Sequence, residues 1–192
     1  WPIQKEEALV VFYGSSITQG CCPTNPGMAY PSIFARNLHV DIVNLGFNGN
    51  GYGDAEIGSF IGKLKADAVV LDFWANPSPT EYKLALPHFI DQIREHSSEV
   101  QIIVMSSFHS PRFLATQLKK DTISREEVIR RHERGDYHVN YAEDLFMLPD
   151  SQGLVDGRHL NSLGMNIVAE RLSDFFRANN ILGSRWDDRE VN

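Results

Sequence analysis

Leu9-Val10-Val11-Phe12-Tyr13-Gly14-Ser15-Ser16-Ile17-Thr18-Gln19-Gly20 is an apolar run that breaks abruptly into small and hydroxyl residues. A continuous β-branched and aromatic run is the pattern of a parallel strand buried on both faces, and in open α/β sheets ligands gather beyond the carboxyl ends of such strands. Ser15 and Ser16 stand at that end. Two readings fit them: a nucleophile presented to a substrate, or a βα turn whose serines cap the next helix.

Further along the chain, strand and helix patterns alternate. Ala29 to Leu38 carries Ile33, Phe34 and Leu38 as a helical stripe, with Pro31 suited to its first turn. Val40 to Gly46 reads as a second strand, ending in the glycine-rich Gly46-Phe47-Asn48-Gly49-Asn50-Gly51-Tyr52-Gly53, after which Asp54 is expected to cap a helix through Leu64. Ala68 to Trp74 predicts a third strand, stopped by Ala75-Asn76-Pro77-Ser78-Pro79. A helical segment from Thr80 to His96 follows, with a kink or break expected at Pro87. Val100 to Met105 predicts a fourth strand, and the charged stretch from Arg112 to Gly135 is helix-prone polar surface in which acids interleave with bases. Tyr137 to Tyr141 alternates like a last strand, and Ser162 opens an amphipathic helix carrying Ile167, Val168, Leu172, Phe175 and Phe176. The tail from Leu182 onward is polar and expected to be peripheral. This alternation predicts an α/β fold, a parallel sheet of about five strands covered on both faces through right-handed crossovers.

The chain of 192 residues, 42% hydrophobic, is sized for one domain over 1–192. Its net charge of -7, without a Lys/Arg stripe, argues against nucleic acid or an anionic membrane as partner and for a small or neutral ligand. No apolar run approaches the roughly 20 residues that span a bilayer. The first residue is Trp1, so a processed form or a piece of a longer product is expected, with a secreted or periplasmic location suspected. Cys21 and Cys22 are the only cysteines and are adjacent, which supplies neither a disulfide framework nor the spaced ligands of a zinc site. Two free thiols in a loop are expected, a vicinal disulfide being the other possibility. The oligomeric state is not legible.

The polar residues fall in loops that such a sheet brings to one rim: Ser16 after the first strand, Gly49 after the second, Asn76 after the third, and Asp156-Gly157-Arg158-His159 before the closing helix. A serine hydroxyl needs a base within hydrogen-bond reach and a third group to hold that base in the right tautomer, roles that His159 and Asp156 can fill. Acyl transfer builds charge on a carbonyl oxygen, which calls for fixed donors; the amides of Ser16 and Gly49 and the Asn76 side chain are candidates. Each element has a plainer reading too: Asn76 as a pre-proline turn residue, the glycines as a flexible loop, Asp156 as a helix-end charge and His159 as a structural histidine.

Taken in order, these blocks resemble the GDSL, or SGNH, hydrolases. Gly14-Ser15-Ser16-Ile17-Thr18 is similar to the first block of that family, Asn44-Leu45-Gly46-Phe47-Asn48-Gly49 to the second, Ala75-Asn76 to the third and Asp156-Gly157-Arg158-His159 to the fifth, over a span from about Val10 to Leu172. The resemblance implies a flavodoxin-like three-layer α/β/α sheet and ester hydrolysis or acyl transfer without metal or other cofactor. Ser16 would be the nucleophile, His159 the base and Asp156 its orienting partner, with the Ser16 amide, Gly49 and Asn76 as the oxyanion hole. Two departures stand out: Ser15 replaces the Asp that the family has beside its nucleophile, and Trp74-Ala75-Asn76-Pro77 replaces a glycine-rich third block.

Phe47, Tyr52, Trp74, Phe108 and His109 fall in or near the rim loops, where they can wall a small acyl pocket, stack on a sugar, or belong to the core. The absence of a long apolar lid points to a short acyl group such as acetyl on a carbohydrate. A small-molecule or carbohydrate ester is thus the expected partner. Transfer to a hydroxyl other than water, or a catalytically silent flavodoxin-like binding module, are the rival expectations.

Overall fold

The computed structural model describes residues 8–108, 110, 112–145 and 151–183. Five strands form one sheet: β1 (Leu9–Gly14), β2 (Asp41–Gly46), β3 (Ala68–Asp72), β4 (Gln101–Met105) and β5 (Val139–Ala142). All neighbours are parallel and their order is β2-β1-β3-β4-β5, so the chain turns back between β2 and β3 and β1 lies at the switch point. Between the strands run α1 (Ser16–Gln19), α2 (Tyr30–Leu38), α3 (Ala55–Lys63), α4 (Pro79–Arg94), α5 (Leu114–Glu133) and, at the end, α6 (Ser162–Ala178).

The alternation of side chains along β1 shows how the layers are filled. Phe12 lies edge-on to Tyr30 and Phe34 of α2, and Phe34 in turn meets Phe176 of α6. Tyr13 points the other way, stacked on Phe89 of α4 and edge-on to Phe73. The covering layers are accordingly α2 against α6 on one face, and α3 against α4 against α5 on the other. Phe12, Tyr13, Tyr30, Phe34, Phe73 and Phe89 expose no surface. Each fully buried aromatic ring contributes about 2–3 kcal/mol, so this double core sets the position of β1 firmly.

Three expectations change. Pro87 neither breaks nor divides α4, which is continuous from a Ser78–Glu81 capping box to Arg94; the Pro87 carbonyl accepts from the Arg131 guanidinium on α5. Asp54 occupies the cap position of α3 without a side-chain hydrogen bond there. Nor is α5 simply polar surface: Gln117, Lys120, Asp121, Ser124, Glu127 and Arg131 are buried against the rest of the fold. Those groups are tied down, Ser124 to Tyr82 at 3.0 Å, Asp121 to the amide and hydroxyl of Ser107 at 2.7 Å, and Arg131 to Glu127 at 2.7 Å. A buried polar group is tolerated when it is paired, and a composition-based reading has no access to the partner.

Candidate active site

At the end of β1 the chain turns at once into α1. Ser15 is the cap of this four-residue helix, and its hydroxyl accepts from the Ile17 amide at 3.3 Å. Ser16 is the first helical residue, so its own N–H has no acceptor inside the helix. The two serines divide the two sequence readings between them: Ser15 caps, while the Ser16 hydroxyl lies 3.0 Å from Nε2 of His159. The turn is wedged tightly. A Cβ on Gly14 would fall 1.9 Å from the Thr18 hydroxyl, and one on Gly46 would fall 2.1 Å from the Gln19 amide, so glycine is required at the ends of both β1 and β2.

His159 is carried by a small antiparallel loop closed by a Leu154–Leu160 bridge and a Val155 to His159 backbone bond of 2.8 Å. Asp156 organises its tip. One carboxylate oxygen accepts from the Arg158 and His159 amides at 3.0 and 2.8 Å, and the other faces Nδ1 of His159 at 2.8 Å. These donors, the His159 amide first and its ring next, hold the Asp156 carboxyl well below the usual carboxylate range, so it is ionised at neutral pH. With Nδ1–H donating to Asp156, Nε2 is left as an acceptor toward the Ser16 hydroxyl. The imidazole side chain is 24% exposed, open to a proton carrier such as water.

Asn76 lies on the β3–α4 loop, and its side-chain oxygen accepts from the Gly51 amide at 3.0 Å. That bond engages the oxygen and leaves the NH2 as a donor. Two cations fix the preceding carbonyls: Lys120 donates to the Trp74 carbonyl and Arg158 to the Ala75 carbonyl, both at 2.7 Å. Burial, then the Arg158 charge, pulls the Lys120 ammonium down to about 8. Gly49 is an exposed turn residue with φ of 72°. Among the described residues neither its amide nor the Asn76 NH2 has a hydrogen-bond partner.

The aromatic residues divide. Trp74 is buried, edge-on to Phe108, and lies in the core behind the rim. Phe47 is half-buried beside Tyr13, and Tyr52 is 43% exposed. His109 lies outside the described residues.

Sequence reasoning missed Lys120, Arg158 and Asp72 as supports of the site. Asp72 ends β3 directly under α1, wholly buried, and accepts from the Thr18 hydroxyl at 2.8 Å and the Tyr30 hydroxyl at 3.0 Å. Burial pushes its carboxyl up to about 7 against those hydrogen bonds. No local pattern announces these residues, because each acts on a partner far away in sequence.

The model of the GDSL-like lipase/acylhydrolase family matches residues 7–177. The chain belongs to that family. Solved structures agree in fold. A Bacteroides ovatus protein assigned as a GDSL-like lipase superposes with a TM-score of 0.85 at 29% identity, over 92% of this chain and 54% of the other. The salicylyl-acyltransferase SsfX3 of a tetracycline biosynthetic pathway gives 0.82 at 20% identity, over 93% and 56%. A family two carbohydrate esterase from Clostridium thermocellum, in complex with cellohexaose, gives 0.72 at 18% identity, over 92% and 66%. The chain thus spans only about half the length of the first two relatives, and no curated protein matches its sequence.

Proposed function

We propose that this chain is a serine esterase that removes a short acyl group, acetyl in the first instance, from a carbohydrate hydroxyl. The observation that carries the reading is the continuous relay from Ser16 through His159 to Asp156, at 3.0 and 2.8 Å. Ser16 attacks the ester carbonyl as its proton passes to Nε2 of His159. The imidazolium that forms is stabilised by ionised Asp156. Negative charge on the carbonyl oxygen is received by the Ser16 and Gly49 amides and the Asn76 NH2, each such donor lowering the barrier by about 3 kcal/mol. The imidazolium then protonates the departing sugar oxygen, and water repeats the sequence on the acyl-enzyme with the roles of attack and departure exchanged.

The carbohydrate assignment is supported by exposed Tyr52 near the rim, a face on which a sugar can stack, and by the shared fold with carbohydrate esterases. Acyl transfer to a second hydroxyl is the other outcome of the same acyl-enzyme, a reading favoured by the fold shared with an acyltransferase.

A fluorophosphonate probe tests the chemistry. Wild-type chain is expected to label and Ser16→Ala to lose both labelling and ester hydrolysis; labelling that survives the substitution overturns the assignment of Ser16. On p-nitrophenyl esters acetate should be turned over faster than decanoate, and the reverse order would rule out a short-acyl site. Adding a sugar acceptor and identifying the product separates hydrolysis from transfer.

A further inference from the structure

The two cysteines are not isolated in the fold. Helix α1 ends after one turn at Gly20, with φ of 84°, and the Cys21 amide donates to the carbonyl of Ser16 at 3.1 Å. This reversal sets the pair beside the hydroxyl–imidazole contact. The Cys21 and Cys22 sulfurs are 2.8 Å apart, and together with a ring nitrogen of His159 they form a group whose ligand atoms all lie within 4.8 Å of one another. Cys21 is exposed, and Cys22 and His159 are half-buried, so the group can be reached from solvent.

We propose that Cys21, Cys22 and His159 bind a thiophilic divalent cation of the Zn2+ class, and that the bound ion switches the enzyme off by withdrawing His159 from Ser16. The first half of the proposal stands by itself; the second rests on the esterase reading above.

Two thiolates and one imidazole are a donor set that zinc accepts, with a fourth tetrahedral position left for water. Nδ1 of His159 is already engaged with Asp156 at 2.8 Å, so Nε2 is the nitrogen left to bind. A carboxylate behind a ligating imidazole orients the ring and raises its basicity, as in other zinc sites. Tetrahedral geometry with zinc–sulfur bonds near 2.3 Å sets the sulfurs about 3.8 Å apart, so the pair has to open by about 1 Å. Two side chains in a solvent-facing turn can do so.

On binding, a sulfur that carries a proton releases it to water as its sulfur–metal bond forms, while the His159 imidazole donates its Nε2 lone pair. No redox change occurs. The lone pair that accepts the Ser16 proton is then occupied.

Chain reduced with a phosphine and stripped of metal provides the test. Co2+ alone should add one thiolate-to-metal charge-transfer band per chain, Zn2+ should displace it, and Zn2+ should inhibit p-nitrophenyl acetate hydrolysis over the same concentrations. The Cys21→Ser/Cys22→Ser double variant should hydrolyse the ester as fast as wild type, show no band, and need at least about 100-fold more Zn2+ for inhibition. Absence of the band in wild type, or equal inhibition of wild type and double variant, overturns the metal site. Hydrolysis missing from every preparation, with the band present and abolished by the double substitution, leaves the metal site standing and removes the esterase reading.

Discussion

Asp156 performs two tasks with two oxygens, and they can be separated. One oxygen gathers the turn amides and the other faces the imidazole. Asp156→Asn keeps an acceptor for the turn amides but presents NH2 to Nδ1, which drives the ring to the tautomer that cannot accept the Ser16 proton. The expected result is a fall in kcat of roughly 10³–10⁴-fold with KM nearly unchanged and thermal unfolding within a few degrees of wild type. Steady-state kinetics beside a melting curve decide it; a large drop in Tm with kcat preserved would mean that the carboxylate serves the loop alone. Ser15 behaves differently from Ser16 for a reason available in its place in the chain: as the residue before the first helical one, its hydroxyl is spent on the Ile17 amide. The departure beside Ser16 is therefore a cap.

At the scale of elements, the β3–α4 loop is a strap held from two sides. Lys120 reaches it from α5 and Arg158 from the loop that carries His159, on successive carbonyls just ahead of Asn76. Arg158 thereby couples the loop that carries His159 to the loop with the candidate oxyanion donor. Arg158→Met preserves the length of the stem and removes the bond to the Ala75 carbonyl. It should lower kcat about tenfold, equivalent to about 1.4 kcal/mol in the barrier, with fluorophosphonate labelling slowed but not lost. Unchanged kcat would show that Asn76 is positioned without Arg158, by the Gly51 amide and the Lys120 clamp. How much of this was legible depends on the reach of each signal. The strand run from Leu9 to Tyr13 and the stripe of Ile33, Phe34 and Leu38 are local periodicities, and the elements they predict are present. The serine, asparagine and aspartate–histidine positions were legible because strand ends in such a sheet share a rim. The clamps were not, since a lysine in a charged helix carries no mark of the carbonyl it will meet. Residues 68–74 show the same limit: the apolar run continues through Phe73 and Trp74, yet pairing stops at Asp72 because the chain must leave the sheet for the rim.

For the whole molecule, the buried Asp72 makes stability depend on pH in a direction unusual for a carboxylate. Its folded-state value, about 7, lies above the ordinary 3.8, so the folded state binds the proton more tightly than the unfolded chain. Stability from this group is therefore fully present below the ordinary carboxylate range and is lost as pH rises through about 7. Asp156 works oppositely: its carboxyl is held down, and the stabilisation it contributes is lost as pH falls below the ordinary carboxylate range. Between pH 5 and 8 the Asp156 contribution is flat and the Asp72 contribution slopes, joined only at the upper end by Lys120, whose ammonium is pulled down to about 8. Asp72→Asn keeps an oxygen for the Thr18 and Tyr30 hydroxyls and removes the charge that burial opposes. Urea unfolding at pH 8 should show the variant more stable than wild type by on the order of 2 kcal/mol, with the difference shrinking toward pH 5. A gap that stays constant across that range would mean that Asp72 does not titrate, and a variant less stable at pH 8 would mean that its ionised form is held by the two hydroxyls. Since Thr18 belongs to the helix that begins with Ser16, the same titration places a charge change directly beneath the turn that presents the hydroxyl.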